Sequence, residues 1–196
     1  MRLRHELAAF GPERERLFLP APTDDSLMPR SIDASLFDGH GPDVRSFVLD
    51  AVIHAPVSEV YAAWTDGAVF PVAFAPDRPE LAAHIDLAIG GRFEWLWDGE
   101  VGSNGCQVLS YIPDRMLSFS WNAPPTQPES RARRTWVVVE FDPEGEAATR
   151  VTLTHLGFGT EAHWDETFDY FGAAWPHVLE QFRRNLERGP GERPAR

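Results

Sequence analysis

An α+β fold is predicted: a curved antiparallel sheet of about seven strands wrapped around a long, kinked C-terminal helix, with two short helices after the first strand. Three observations predict it. The first is a one-sided apolar stripe near the C-terminus, made by Trp164, Phe168, Phe171, Trp175, Val178, Leu179, Phe182 and Leu186. At helical spacing these residues fall within an arc of roughly 100°. The second is a series of period-2 runs joined by short Gly, Pro and Asp turns, which indicates an antiparallel meander. The third is an amphipathic helical stretch close behind the first such run.

In chain order, residues 1–45 are punctuated by Pro12, Pro20, Pro22, Pro29, Gly39, Gly41 and Pro42 and read as an irregular arm. The domain is expected to span 46–188, leaving 189–196 as a disordered tail. Phe47 to His54 reads as a strand. Pro56 suits a first helical turn, and Val57, Val60 and Trp64 share a face before Thr65-Asp66-Gly67 ends that helix. Val69 to Phe74 makes the second short helix. His84 to Ile89 alternates, with Ile85, Leu87 and Ile89 on one side, and Gly90-Gly91 turns the chain.

Arg92 to Asp98 then puts Phe93, Trp95 and Trp97 on one face. Cys106 to Ile112 follows the glycines at 99, 102 and 105. Met116 to Asn122 carries Leu117, Phe119 and Trp121 on one side. A Pro- and Arg-rich connection runs from Ala123 to Arg134. Thr135 to Phe141 and Arg150 to Leu156 complete the sheet, the latter with Val151, Leu153 and His155 sharing a face. Pro176 interrupts the last helix. It lacks the backbone donor and crowds the carbonyl of Gly172, so a kink is expected there. The kinked aromatic helix covers the apolar face of the sheet, a helix-grip arrangement.

Composition narrows the function classes. Hydrophobic residues make up 43% and charged residues 24% of the 196 residues, a globular balance. The formal net charge of −12 opposes nucleic acid and anionic membrane surfaces as partners. Cys106 is the single cysteine, so no internal disulfide is expected and a reducing compartment fits. Met1 to Arg16 mixes Arg and Glu without an apolar core, so no signal peptide is expected. No apolar run approaches the ~20 residues of a membrane span. A cytoplasmic location is the expectation.

Residues 46–187 carry a set of short motifs in a specific order. These are Ala55-Pro56 with Val60 and Trp64-Thr65-Asp66, then Asp86-Leu87 with Gly90-Gly91-Arg92-Phe93, then Val108 and Pro113. Leu117-Ser118-Phe119-Ser120-Trp121 follows, then Thr149 through His155 with Gly157-Phe158, and Trp175. In these the chain resembles the START-like, SRPBCC superfamily, in the branch homologous to the activator of the heat-shock chaperone ATPase. Two features depart from that branch: Phe70 or Phe74 stands where a tryptophan is common, and the 45-residue arm is not a regular part. The resemblance implies a fold with a hydrophobic cavity. It implies no single reaction, because the superfamily includes lipid carriers, hormone receptors, cyclases and chaperone regulators.

The candidate ligand-binding set is Phe93, Trp95, Trp97, Phe119 and Trp121 from the sheet, His155 near a strand end, and Phe171 and Trp175 from the helix. Opposed rings with indole N–H groups suit a flat or acyl guest; the same rings also make a plain core. His155 is the one candidate general base in this set, with a satisfied buried histidine as the simpler reading. Cys106 has no nucleophile motif around it and reads as a small buried residue. Asn122, Arg131, Arg133 and Arg134 flank the long connection and could hold an anion at a cavity mouth, or simply be solvated.

No metal is expected: His163 and Glu166 form only a pair, and His177 lies about 21 Å further along the helix. The glycines lead into a strand, not a helix, so no phosphate cradle is present. No cofactor is expected. The leading expectation is therefore binding of a small hydrophobic or aromatic molecule between sheet and helix, without built-in catalysis. The alternatives are a cyclase- or hydrolase-type enzyme using His155, or a module that regulates a chaperone ATPase. A homodimer is compatible with any of them.

Overall fold

The computed structural model describes residues 30–31, 45–78, 80–97 and 101–188; for Arg30, Ser31, Trp97 and Val101 it describes the backbone. The element order is β1 (Arg30–Ser31), β2 (Arg45–Ile53), α1 (Val57–Thr65), α2 (Phe70–Phe74), β3 (Leu81–Ile85), β4 (Phe93–Trp97) and β5 (Val101–Gly102). Then come β6 (Val108–Ile112), β7 (Met116–Trp121), α3 (Pro128–Arg131), β8 (Thr135–Pro143), β9 (Thr149–Phe158) and α4 (His163–Arg188). The expected α+β architecture is present. Seven strands of five residues or more stand beside two short ones.

All the pairings are antiparallel. One sheet has the order β1-β2-β9-β8-β7-β6 and a second the order β3-β4-β5. The two are stitched together where Arg92 bridges Gln107, Phe93 N donates to Cys106 O (2.9 Å) and Gly90 N donates to Val108 O (2.8 Å). The polypeptide from Val101 to Ile112 thus follows β4 at one end and β7 at the other, which bends the surface around α4. β2 shows why the sheet has one apolar face. Phe47, Leu49, Ala51 and Ile53 are buried while the residues between them are half-buried. The same alternation buries Thr135, Val137, Val139 and Phe141 on β8 and Val151, Leu153 and His155 on β9.

α4 presents the predicted stripe to this face: Trp164, Phe171, Trp175, Leu179 and Phe182 are buried, with Phe168, Val178 and Leu186 packed alongside. The helix continues through Pro176 as one element of 26 residues. It is anchored at both ends. Arg45 pairs with Asp165 in its first turn, where a carboxylate also suits the helix dipole. At the other end Glu187 Oε1 accepts from His54 N (3.1 Å) and Asn185 Nδ2 donates to Ala73 O (3.0 Å).

Three expectations shift. The strand read over His84 to Ile89 forms instead at Leu81–Ile85. Beyond it Ala88 N bonds back to Asp86 O, and Arg92 Nε pairs with the Asp86 carboxylate (2.8 Å), so the chain turns early and leaves Ile89 79% exposed. Gly91 is required in that turn, because a Cβ there would lie 2.1 Å from Asp86 O. Second, the connection Ala123 to Arg134 contains the one-turn helix α3, started by Pro128. Third, two residues of the N-terminal segment form β1 against Phe47 and Val48. The rest of the arm, the 189–196 tail and Gly99 lie outside the described residues.

Candidate functional site

Between the sheet and α4 the rings form one continuous chain. Phe93 on β4 stacks on Phe119 of β7 at 3.9 Å between centroids; Phe119 meets Trp121 at 5.7 Å, and Trp121 meets Trp175 of α4 at 5.7 Å. Beyond Trp175 lie His155 (6.2 Å) and, against it, Phe171 (4.7 Å). Five of the predicted aromatics, together with His155, therefore stand in one buried cluster. Trp95 joins it indirectly, through Phe70 (5.4 Å) and Phe74 (6.0 Å) of α2. Trp97 lies on the same strand opposite Leu81, and its side chain lies outside the described residues.

The cluster has a deep end and a shallow end. Trp64, Phe119 and Phe182 are fully buried, whereas Trp95 (8%), Trp121 (9%), Phe171 (5%) and Trp175 (4%) keep some exposure. The residues of the cluster nearest the surface are thus on β4, β7 and the middle of α4.

The sequence reading did not include Trp64 in the site. It is ringed by Phe70, Phe74, Phe119, Phe141 and Phe182, with centroids 4.7 to 6.4 Å away. Its Nε1–H has no hydrogen-bond partner among the described residues. A buried donor left unpaired costs about 1–3 kcal/mol. The shared face of Val57, Val60 and Trp64 was the available signal that this indole points into the core. Phe70 and Phe74, one turn apart on α2, carry the same signal.

His155 is held differently. Trp175 Nε1 donates to His155 Nδ1 (3.0 Å), so the ring proton sits on Nε2. Nε2–H faces Thr135 Oγ1 at 2.8 Å, and Thr135 Oγ1 in turn donates to Trp121 O (3.4 Å). Three hydrogen bonds run from α4 through β9 and β8 to β7. Burial pushes the His155 pKa down to about 3, so the ring is neutral at physiological pH. Chemically this is a neutral clip between helix and sheet. To act as a base, either nitrogen would have to leave its partner.

The remaining candidates sit elsewhere. Cys106 is fully buried, and desolvation raises its thiol pKa to about 11, the opposite of an activated nucleophile. Arg131 donates to the carbonyls of Ala123 and Gly102 (2.7 Å to the latter) and to Asn104 Oδ1 (3.2 Å), binding two loops together. Arg134 donates to Asn104 O (3.1 Å), and with its amide oxygen turned toward them Asn122 also accepts from Arg134 and Arg131. Arg133 pairs with Glu161 and lies over the Trp164 ring. Among the described residues no three of His, Cys, Asp and Glu are placed to hold a metal ion. No described helix is long and apolar enough to cross a membrane.

The family model described as "Activator of Hsp90 ATPase homolog 1-like protein" matches residues 54–187. The chain belongs to this family. The match covers the helix-grip domain from the end of β2 nearly to the end of α4, and it agrees with the START-like, SRPBCC-type resemblance read from the motifs.

Solved structures of this fold are alike in shape and distant in sequence. A protein of Mesorhizobium loti superposes with a TM-score of 0.60 at 21% identity, covering 74% of this chain and 98% of its own. CalU16 from Micromonospora echinospora gives 0.53 at 22%, covering 84% and 83%. An HSP90 activator from Plasmodium falciparum gives 0.54 at 19%, covering 72% and 95%. At these identities the likeness establishes the fold. No curated protein matches the chain.

Proposed function

We propose that this family member binds a small hydrophobic or aromatic molecule between the sheet and α4, with no built-in reaction. The observation that supports the reading is the unpaired Nε1–H of Trp64, a fully buried donor packed among rings. A guest with one carbonyl or ether oxygen on a flat body would supply the missing acceptor and stack on the neighbouring rings. It would enter where Trp95, Trp121, Phe171 and Trp175 keep exposure, and Phe93 and Phe119 would form the floor. The neutral, doubly bonded state of His155 supports binding over general-base chemistry, and the buried thiol of Cys106 supports no nucleophilic role.

Intrinsic tryptophan fluorescence tests this directly. Titration with flavonoids, medium-chain fatty acids and polyketide-like aromatics should produce saturable quenching or a spectral shift for at least one class. Trp175→Phe keeps an aromatic ring, though a smaller one, and removes the donor that fixes His155, and should weaken that binding. A flat response to every class at saturating concentration rejects the proposal.

A second reading has its own support. The family description names an activator of the Hsp90 ATPase, and the Plasmodium neighbour bears the name of an HSP90 activator. A chaperone partner would need an exposed apolar surface. Leu109 and Ile112 on β6 are exposed, as is Ile89, whose neighbour Gly90 bonds to Val108 O. Stimulation of a chaperone ATPase by the protein, lost in Leu109→Asp and Ile89→Asp, would favour this role; no stimulation dismisses it.

A further inference from the structure

Four strands end the two sheets: β1 and β6 the larger, β3 and β5 the smaller. Three of these edges are short or covered. β1 and β5 are two residues long, and Arg131 Nη2 donates to the carbonyl of Gly102 on β5 (2.7 Å). β3 lies against the turn between α1 and α2, where a Cβ on Gly67 would stand 3.0 Å from Ala83 O. β6 differs. It is hydrogen-bonded to β7 on one side. On the other side Val108 is tied, its N–H donating to Gly91 O (2.8 Å) and its carbonyl accepting from Gly90 N (2.8 Å). Among the described residues that leaves Leu109 to Ile112 with no strand beyond them, as far as Pro113, which has no N–H to donate.

Edge strands are commonly blunted by charges, prolines or bulges. β6 has a bulge, at Leu109, but no charged residue lies between Glu100 and Asp114. Leu109 is 41% exposed, Ile112 54%, and Ile89, next to Gly90, 79%. An open strand alternates donors and acceptors, which another extended backbone matches best. The chain carries a formal charge of −12, so most faces of two copies repel each other. This stretch is neutral, and the charges at its ends balance: Asp86 with Arg92 at one, Asp114 beside Arg115 at the other. We propose that two copies of the chain join β6 to β6, antiparallel about a two-fold axis, into one continuous sheet. Among the described residues β6 is also the one open edge of that length that a second copy has to offer. The register follows. Facing residues of an antiparallel pair lie on the same side of the sheet, so the axis passes through a residue. At Ser110 it would set the partner's Ile112 against Val108, whose N–H and carbonyl are already bonded to Gly91 and Gly90. At Tyr111 it sets Ser110 against the partner's Ile112 and Leu109 against the partner's Pro113, and it carries the partner's turn after β6 toward Ile89.

Sedimentation equilibrium of the full chain, from micromolar to millimolar concentration, tests this. Wild type is expected to approach twice the mass of one chain. Leu109→Lys and Ile112→Lys each place a charge at the junction and should weaken association at least about tenfold. Both side chains are exposed, so both variants should keep the wild-type circular dichroism and melting. Val72→Lys makes the same kind of change on α2, at a residue 64% exposed, and should leave the dimer as it is. Wild type at the mass of one chain throughout, undiminished association of both β6 variants, or an equal loss in Val72→Lys overturns the proposal. Binding in the aromatic interior stands or falls independently of these results, whereas a chaperone docking on Ile89 and Leu109 would have to displace the second copy.

Discussion

Trp64→Ala is expected to be the most damaging single substitution in the chain. The indole is fully buried and touches five phenylalanine rings supplied by α2, β7, β8 and α4. Deleting it leaves a ring-sized void at the point where those elements meet. Large-to-small changes of this kind cost about 3–5 kcal/mol, which is a large part of the ~5–15 kcal/mol that holds a typical domain together. Urea unfolding followed by circular dichroism should show a much lower midpoint, or no cooperative transition. Trp64→Phe offers the contrast. It gives up part of the ring but also removes the unpaired N–H, so its cost should be well below that of the alanine variant. Equal damage from the two would mean that the N–H is satisfied in solution.

The second large effect is on acid stability and comes from His155. Its folded pKa lies near 3, against 6.5 for an unperturbed ring, because burial penalises the charged form. Between those values the unfolded chain binds a proton that the folded chain does not. Stability therefore falls as pH drops below about 6.5, with a slope approaching 1.4 kcal/mol per pH unit. The loss continues until the folded ring also protonates. His155→Gln can accept from Trp175 Nε1 and donate to Thr135 Oγ1 without titrating. Compared between pH 7 and pH 5, the wild type should lose stability more steeply than this variant. Parallel curves would mean that His155 is charged in the native state or already solvated, and the clip described above would be wrong.

Much of the fold was legible because it rests on periodicity. The alternation in Phe47–Ile53, Leu117–Trp121, Thr135–Phe141 and Val151–His155 needs no partner to be recognised, and all four runs bury the expected face. The stripe on α4 is equally local. What failed to show was set by contacts between distant residues. β3 begins at Leu81, in a stretch whose two alanines give little alternation. Its end is fixed by Arg92 closing on Asp86, a tie invisible to a window of neighbours. α3 is a single turn, too short for a helical pattern.

For the candidate site, the face of His155 was readable from Val151 and Leu153, but its role was not. That role depends on Thr135 and Trp175, each 20 residues away along the chain. Trp64 was placed on an apolar helix face, yet nothing in the sequence says that its N–H goes unpaired.

The chain has seven tryptophans, which makes indole nitrogen resonances a direct reporter of where a guest sits. Proton–nitrogen correlation spectra, assigned by single Trp→Phe variants, should be recorded while a carbonyl-bearing aromatic such as a flavone is added. The Trp64 N–H signal is expected to move downfield as it gains an acceptor, with Trp121 and Trp175 shifting alongside it. Trp136, exposed on the opposite face of β8, should stay where it is. Shifts confined to Trp136, or a Trp64 signal unmoved by any guest that quenches fluorescence, would contradict a binding site between the sheet and α4.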